Sequence, residues 1–121
     1  MTTTETTPIP TIIDTYFAMW NEADRDARLD LIARAWAPEC HYVDPLSDVE
    51  GHEALADMVD GVRAQFPGAT LQRTGDIDTH HNVLRFPWNA VGPDGTVIVE
   101  GIDVGMLADD GRLQAIAGFF G

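Results

Sequence analysis

Asp44 closes the strand-like run CHYVD, and Pro45 follows it at once. A carboxylate at the end of an apolar run, with the next φ locked by proline, is a group held in place. Asp103 sits inside a longer run of β-type residues, TVIVEGIDVGML. Alternation puts it on one face with Val97, Val99, Gly101, Gly105 and Leu107, while Ile98, Glu100, Ile102, Val104 and Met106 take the other. Glu100 marks the second face as the wetter one, so Asp103 points to the apolar side. Burial disfavours a charged carboxylate. Holding an aspartic acid neutral at pH 7 takes a shift of about three units, or about 4 kcal/mol. The neutral acid can donate a hydrogen bond, which the ionised one cannot. Tyr16 is the third candidate, on a helical face with Ile12, Ile13 and Trp20. Its buried hydroxyl needs a partner. Tyr16 and neutral Asp103 would be two donors converging on one oxygen, with Asp44 the ionised base beside them. Each residue also has a plainer reading: an Asx-turn cap for Asp44, a structural buried acid for Asp103, a core tyrosine for Tyr16.

The elements that must position these groups follow from periodicity and breakers. Thr11 as cap and Asp14 behind it predict a helix start, with Ile12, Ile13, Tyr16, Phe17 and Trp20 on one face. Asp24 caps a second helix carrying Leu29, Ile32, Ala33 and Trp36, ended by Pro38. Residues 40–44 form a strand and 46–51 a loop. A third helix carries Leu55, Met58, Val59, Val62 and Phe66, and Pro67-Gly68 stops it. Strands follow at about 69–79, 81–91, 96–108 and 112–120, with turns at GPDG and DDG. This order is an α+β layout, with helices covering one face of a curved antiparallel sheet. Gly101 and Gly105 inside a strand suit a sharp bend around a pocket. Leu84, Phe86 and Trp88 share a strand face and, with Tyr42, Met58 and Phe66, would serve as core or pocket wall. Trp20, Trp36 and Phe119 complete the expected substrate-binding set.

Length and charge narrow the function. The 121 residues suit one domain, read as a tail over 1–8 and a folded unit over 9–121. Net charge is −13 and every basic residue is arginine. Such a surface repels nucleic acid and anionic membranes, and leaves a small hydrophobic substrate or ligand as the expected partner. One cysteine, Cys40, permits no intrachain disulfide, which fits a reducing, cytoplasmic setting. Adjacent His80 and His81 are expected on opposite strand faces. Without chelating spacing or a glycine-rich phosphate loop, no metal and no cofactor are expected.

YFAMWNEAD (16–24), YVDP (42–45) and EGIDVGMLADDGRL (100–113), together with GHEAL at 51–55, resemble the SnoaL-like and ketosteroid isomerase branch of the NTF2-like superfamily. The resemblance covers nearly the whole chain after the tail. It implies a cone-shaped fold, a curved antiparallel sheet packed on three helices around an internal pocket, and a homodimer. It implies that Tyr16 and protonated Asp103 form an oxyanion hole while Asp44 shuttles the proton. The activity expected is a cofactor-free, ketosteroid isomerase-like isomerisation of a small hydrophobic carbonyl compound. Alternatives are a SnoaL-like polyketide cyclase, an epoxide hydrolase, or a protein that binds a hydrophobic ligand without turnover. Trp36 and Trp88 would crowd a pocket built for a flat four-ring substrate.

Overall fold

In the computed structural model, residues 7–121 are described; most of the expected tail over 1–8 lies outside them. Three helices, α1 (Ile9–Asn21), α2 (Arg25–Ala35) and α3 (His52–Gln65), pack on seven strands. The strands are β1 (Trp36–Asp44), β2 (Ser47–Glu50), β3 (Thr70–Arg73), β4 (Asp78–His80), β5 (Val83–Val91), β6 (Val97–Leu107) and β7 (Leu113–Phe120). Among the described residues no helix is long and apolar enough to cross a membrane.

Local chemistry sets most boundaries. α1 begins earlier than Thr11: Pro8 is its cap residue, without a side-chain cap bond, and a proline stands in its first turn, where no donor is lost. Asp24 caps α2, accepting from the Ala27 N–H at 2.9 Å. α2 stops at Ala35, and Trp36 opens β1 instead of closing the helix. The tryptophan is fully buried there, with extended backbone and its backbone N–H still donating to the Ile32 carbonyl as the last bond of the helix. The stretch expected as a loop over 46–51 contains β2, paired antiparallel to β1 through Asp44↔Ser47 to His41↔Glu50. Pro45-Leu46 is therefore the tip of a tight hairpin.

The sheet runs β2-β1-β7-β6-β5-β3, with β4 also on β5. It is mixed and unclosed: β1 lies parallel to β7, and the remaining pairs are antiparallel. The parallel pair joins the first strand to the last, a contact between distant parts of the sequence that local patterns do not encode. With three helices on a curved sheet, this is the α+β cone of the NTF2-like fold.

Ile13, Met19, Ile32, Leu55, Val59 and Leu113 fill the space between helices and sheet with no exposed surface. Burial stabilises each such side chain by roughly 1.5–3 kcal/mol relative to water. Arg28, 1% exposed, ties the helices together. Its guanidinium donates to the carbonyls of Glu22 and Ala56 and pairs with Asp60 on α3. Arg28, assisted by Arg25, holds the Asp60 carboxyl below its ordinary value.

Candidate active site

Helix α1 brings Tyr16 against β6, where its hydroxyl donates to Asp103 Oδ2 at 2.6 Å. Trp88 on β5 donates its indole N–H to Asp103 Oδ1 at 2.9 Å. Register explains the second contact. Trp88 faces Gly101 and Phe86 faces Asp103, so the indole reaches one step diagonally along β6. Gly101 makes the room: a Cβ there would lie 2.4 Å from Trp88 Cζ2. Alternation on β6 places Gly101, Asp103 and Gly105 inside and Glu100, Ile102, Val104 and Met106 outside. Val97, by parity an inner residue, is exposed at the strand's end.

Asp44 stands at the hairpin tip and is half-buried. Its Oδ1 accepts the Leu46 N–H at 2.8 Å, an Asx turn, and its Oδ2 accepts the Tyr42 hydroxyl at 2.6 Å. The capping role and a chemical role are thus compatible, one oxygen for each. Both acids border Gly118 on β7. A Cβ on Gly118 would lie 2.9 Å from Asp103 Oδ1, 3.3 Å from Asp44 Cβ and 3.6 Å from the Tyr42 hydroxyl. Only glycine keeps that gap open.

Burial pushes the Asp103 carboxyl up to about 6; the hydrogen bonds from Tyr16 and Trp88 oppose the rise, and the Asp44 charge adds to it. Both donors favour the ionised form and so work against the protonated state expected at pH 7, while burial works toward it. Burial, then the neighbouring Asp103 charge, raises both tyrosines well above their ordinary value, so both hydroxyls keep their protons. Among the described residues the Trp20 indole nitrogen meets no hydrogen-bond partner, though it lies near enough to Tyr16 to favour its phenolate.

These groups open into a cavity of about 90 Å³. Tyr16, Asp44 and Asp103 all line it, with Trp20, Tyr42, Phe66 and Trp88 from the expected wall. Trp36 and Phe86 do not, being wholly buried behind Tyr16, with ring centroids at 5.9 and 5.7 Å from it. Met58, on α3, packs against the core and also misses the cavity. Phe119 points outward, 60% exposed, and Phe120 takes the inner position, edge-on to Trp88 at 5.9 Å. A bulge causes this: Met106↔Ala115 is followed by Leu107↔Leu113, so one extra residue on β7 reverses the alternation after Leu113. Leu46, Ser47, Val62, Leu71, Ile98 and Val99 join the lining. Val99 shares Asp103's parity, the one signal in the sequence that marks it. Among the described residues, no lining side chain is cationic.

Elsewhere, His81 leaves its strand with φ +51, and the Nδ1 atoms of His80 and His81 come within 3.1 Å instead of pointing apart. Among the described residues no three His, Cys, Asp or Glu side chains gather as metal ligands.

The fold has counterparts. An Agrobacterium tumefaciens protein, described as a candidate isomerase of the SnoaL-like family, is 40% identical with a TM-score of 0.88, covering 93% of this chain and 96% of that one. A candidate SnoaL-like polyketide cyclase from Jannaschia sp. CCS1 is 16% identical, with a TM-score of 0.70 over 98% of this chain and 91% of that one. The epoxide hydrolase/cyclase-like enzyme SalBIII, of pyran-ring formation in salinomycin, is 21% identical, with a TM-score of 0.67 over 93% and 89%. These last two share the fold. No curated protein matches the chain. The family model described as SnoaL-like domain matches residues 13–116, and the chain belongs to that family.

Proposed function

We propose that the chain is a cofactor-free acid–base enzyme acting on a small, largely apolar carbonyl compound. The observation that carries this reading is the pair of aspartates, each tethered by a tyrosine and both bordering Gly118, in a cavity that the described residues line without a cationic side chain. Asp44, at the mouth, takes a proton from the carbon beside the carbonyl. The electron pair moves into a carbon–carbon double bond and charge develops on the carbonyl oxygen. Tyr16 and Asp103 meet that oxygen. Entry of an apolar substrate removes water, which raises the Asp103 carboxyl further and favours its proton-donating form. Asp44 then returns the proton to the far end of the dienolate, so no co-reactant is needed. Isomerisation of a β,γ-unsaturated ketone is the simplest outcome, and the same enolate serves an aldol cyclisation.

Size points to the substrate class. The cavity is smaller than the ~150 Å³ of an engineered apolar cavity that accepts benzene. Even a single ring would be only partly enclosed, and the bulk of a steroid would project past the exposed Leu46. The test uses a small cyclic β,γ-unsaturated ketone in D₂O, following conjugated-enone absorbance and deuterium uptake. Asp44→Asn is expected to lower the rate by about 10²–10⁴-fold while leaving binding of the conjugated product intact. Equal turnover in that variant, or none in the parent protein, removes the proton-shuttle assignment.

A second reading exchanges the roles. Asp103 accepts two hydrogen bonds and titrates at about 6, as a general base poised near neutrality would. In that case Asp103→Asn costs more than Asp44→Asn, and kcat/KM falls below about pH 6.

We also propose that two copies pair through the outer sheet face. Ile102, Val104, Met106 and Phe119 are exposed there on adjacent strands, with Ile102 opposite Phe119. Contiguous exposed apolar surface of this kind marks an association site.

A further inference from the structure

We propose that Trp88 is a positioning residue for Asp103, clamping Oδ1 while Tyr16 clamps Oδ2, so that the carboxyl cannot turn and presents a fixed edge to whatever enters the cavity. This rests on the acid–base reading of the site but is not contained in it, since the oxyanion arrangement needs only Tyr16 and the acid. An aspartate's terminal torsion is ordinarily broad and roughly two-fold. Here donors from two different elements, α1 and β5, hold its two oxygens at 2.6 and 2.9 Å. Oδ1 also lies on the Gly118 side, the glycine that Asp44 borders as well, so the indole holds the oxygen nearest that strand.

The arrangement is built from strand β6 itself. Trp88 can lie flat on the strand only because residue 101 is glycine, with a Cβ there placed 2.4 Å from Cζ2 and 2.6 Å from Cε2 of the indole. The glycine at 101 gives the tryptophan its seat, and from that seat its N–H reaches the carboxylate. Trp36, by contrast, is buried with its indole N–H unpartnered among the described residues, so burial alone does not find an indole a partner in this core.

Clamping has an electrostatic consequence. The titratable groups that face Asp103 are Tyr16 from α1 and Tyr42 and Asp44 from β1; the facing residues of β5 and β7, among them Phe86, Trp88 and Gly118, bring none. Both tyrosines hold their protons, so only Asp44 brings charge. Against burial and that charge stand two hydrogen bonds, and Trp88 supplies one of them. Removing the indole N–H shifts Asp103 toward its protonated form.

The test measures Asp103 directly, by carboxyl ¹³C NMR titration of the folded protein. Trp88→Phe removes the donor but leaves a gap. A second protein carries β-(3-benzothienyl)alanine at position 88, which keeps the bicyclic shape and replaces N–H by sulfur. In both, the Asp103 midpoint is expected to rise by about one to two pH units, the worth of one hydrogen bond to a charged group. The pH dependence of kcat/KM should move upward with it, a change that a packing defect would not produce. An unmoved midpoint in the benzothienyl protein overturns the inference. A moved midpoint, in a protein whose parent never enolises a ketone, leaves the inference standing and removes the proposed reaction.

Discussion

Strand β6 carries its oddities on both faces, in opposite senses. Inside, where apolar side chains belong, Asp103 is 2% exposed. Outside, where polar ones belong, Ile102 is 49% exposed and Met106 46%. Residues one step apart on the same strand thus depart from ordinary burial in opposite directions. The inner departure costs folding energy, because a carboxylate has been taken from water. The outer one costs little in a lone chain but invites a covering surface. Departures of this kind gather where a chain does something beyond folding. The inner face reads as chemistry and the outer as association, and the two can be broken separately.

The largest effect is expected from Asp103→Asn. The Asp103 carboxyl sits at about 6 in the folded protein, against about 3.9 when unfolded. Between those values the folded state holds the proton more tightly than the unfolded chain does. Stability therefore falls as pH rises from about 4 to 6, and the full cost, about 3 kcal/mol, is present at pH 7. Asparagine cannot ionise, so the variant should be more stable than its parent at pH 7 by up to about that amount. The difference should shrink toward pH 4. Urea unfolding at pH 4.5 and pH 7 measures it, and a constant difference between the two would mean that the acid carries no such penalty. The same variant should lose activity, making Asp103 a residue kept at the expense of stability.

The contrast between faces was legible before any coordinates, because alternation along a single strand is local. So were the apolar stripe of α1 and the Asp24 cap. What was not legible depended on partners distant in sequence. β2 is Ser-Asp-Val-Glu, too short and too polar to announce a strand; it exists because the Pro45-Leu46 turn folds it back on β1. Trp36 was legible as apolar but not as the first residue of a strand. The parallel pairing of β1 with β7 joins residues such as Tyr42 and Ile116. Of the site, the three polar groups could be named from their types and positions. Trp88 as a ligand of Asp103 could not, since that depends on the β5–β6 register.

A smaller effect is expected on the outer face. Ile102→Asp places a charge opposite Phe119 in the middle of the apolar patch. If two copies meet there, the variant should dissociate at a concentration at least about tenfold higher than its parent, or about 1.4 kcal/mol. Sedimentation velocity over a dilution series reads this directly. Activity of the folded chain should change little, since Ile102 does not line the cavity. A parent protein that is already monomeric at high concentration would leave the outer face as ordinary exposed surface.

The finest separation of the two faces lies on β7, between neighbours of identical type. Phe119 and Phe120 differ only in which way the bulge after Leu113 turns them. Phe120 lines the cavity and meets Trp88, so Phe120→Ala removes apolar contact from any bound ligand. That contact is the same in ground and transition states, so KM should rise several-fold, about 1 kcal/mol, with kcat nearly unchanged. Phe119→Ala should alter neither constant and should act only on self-association. Steady-state kinetics of the two variants checks the assignment. Were Phe119→Ala the one to raise KM, the alternation of β7 would be reversed, and with it the inward placement of Gly118 beside the two acids.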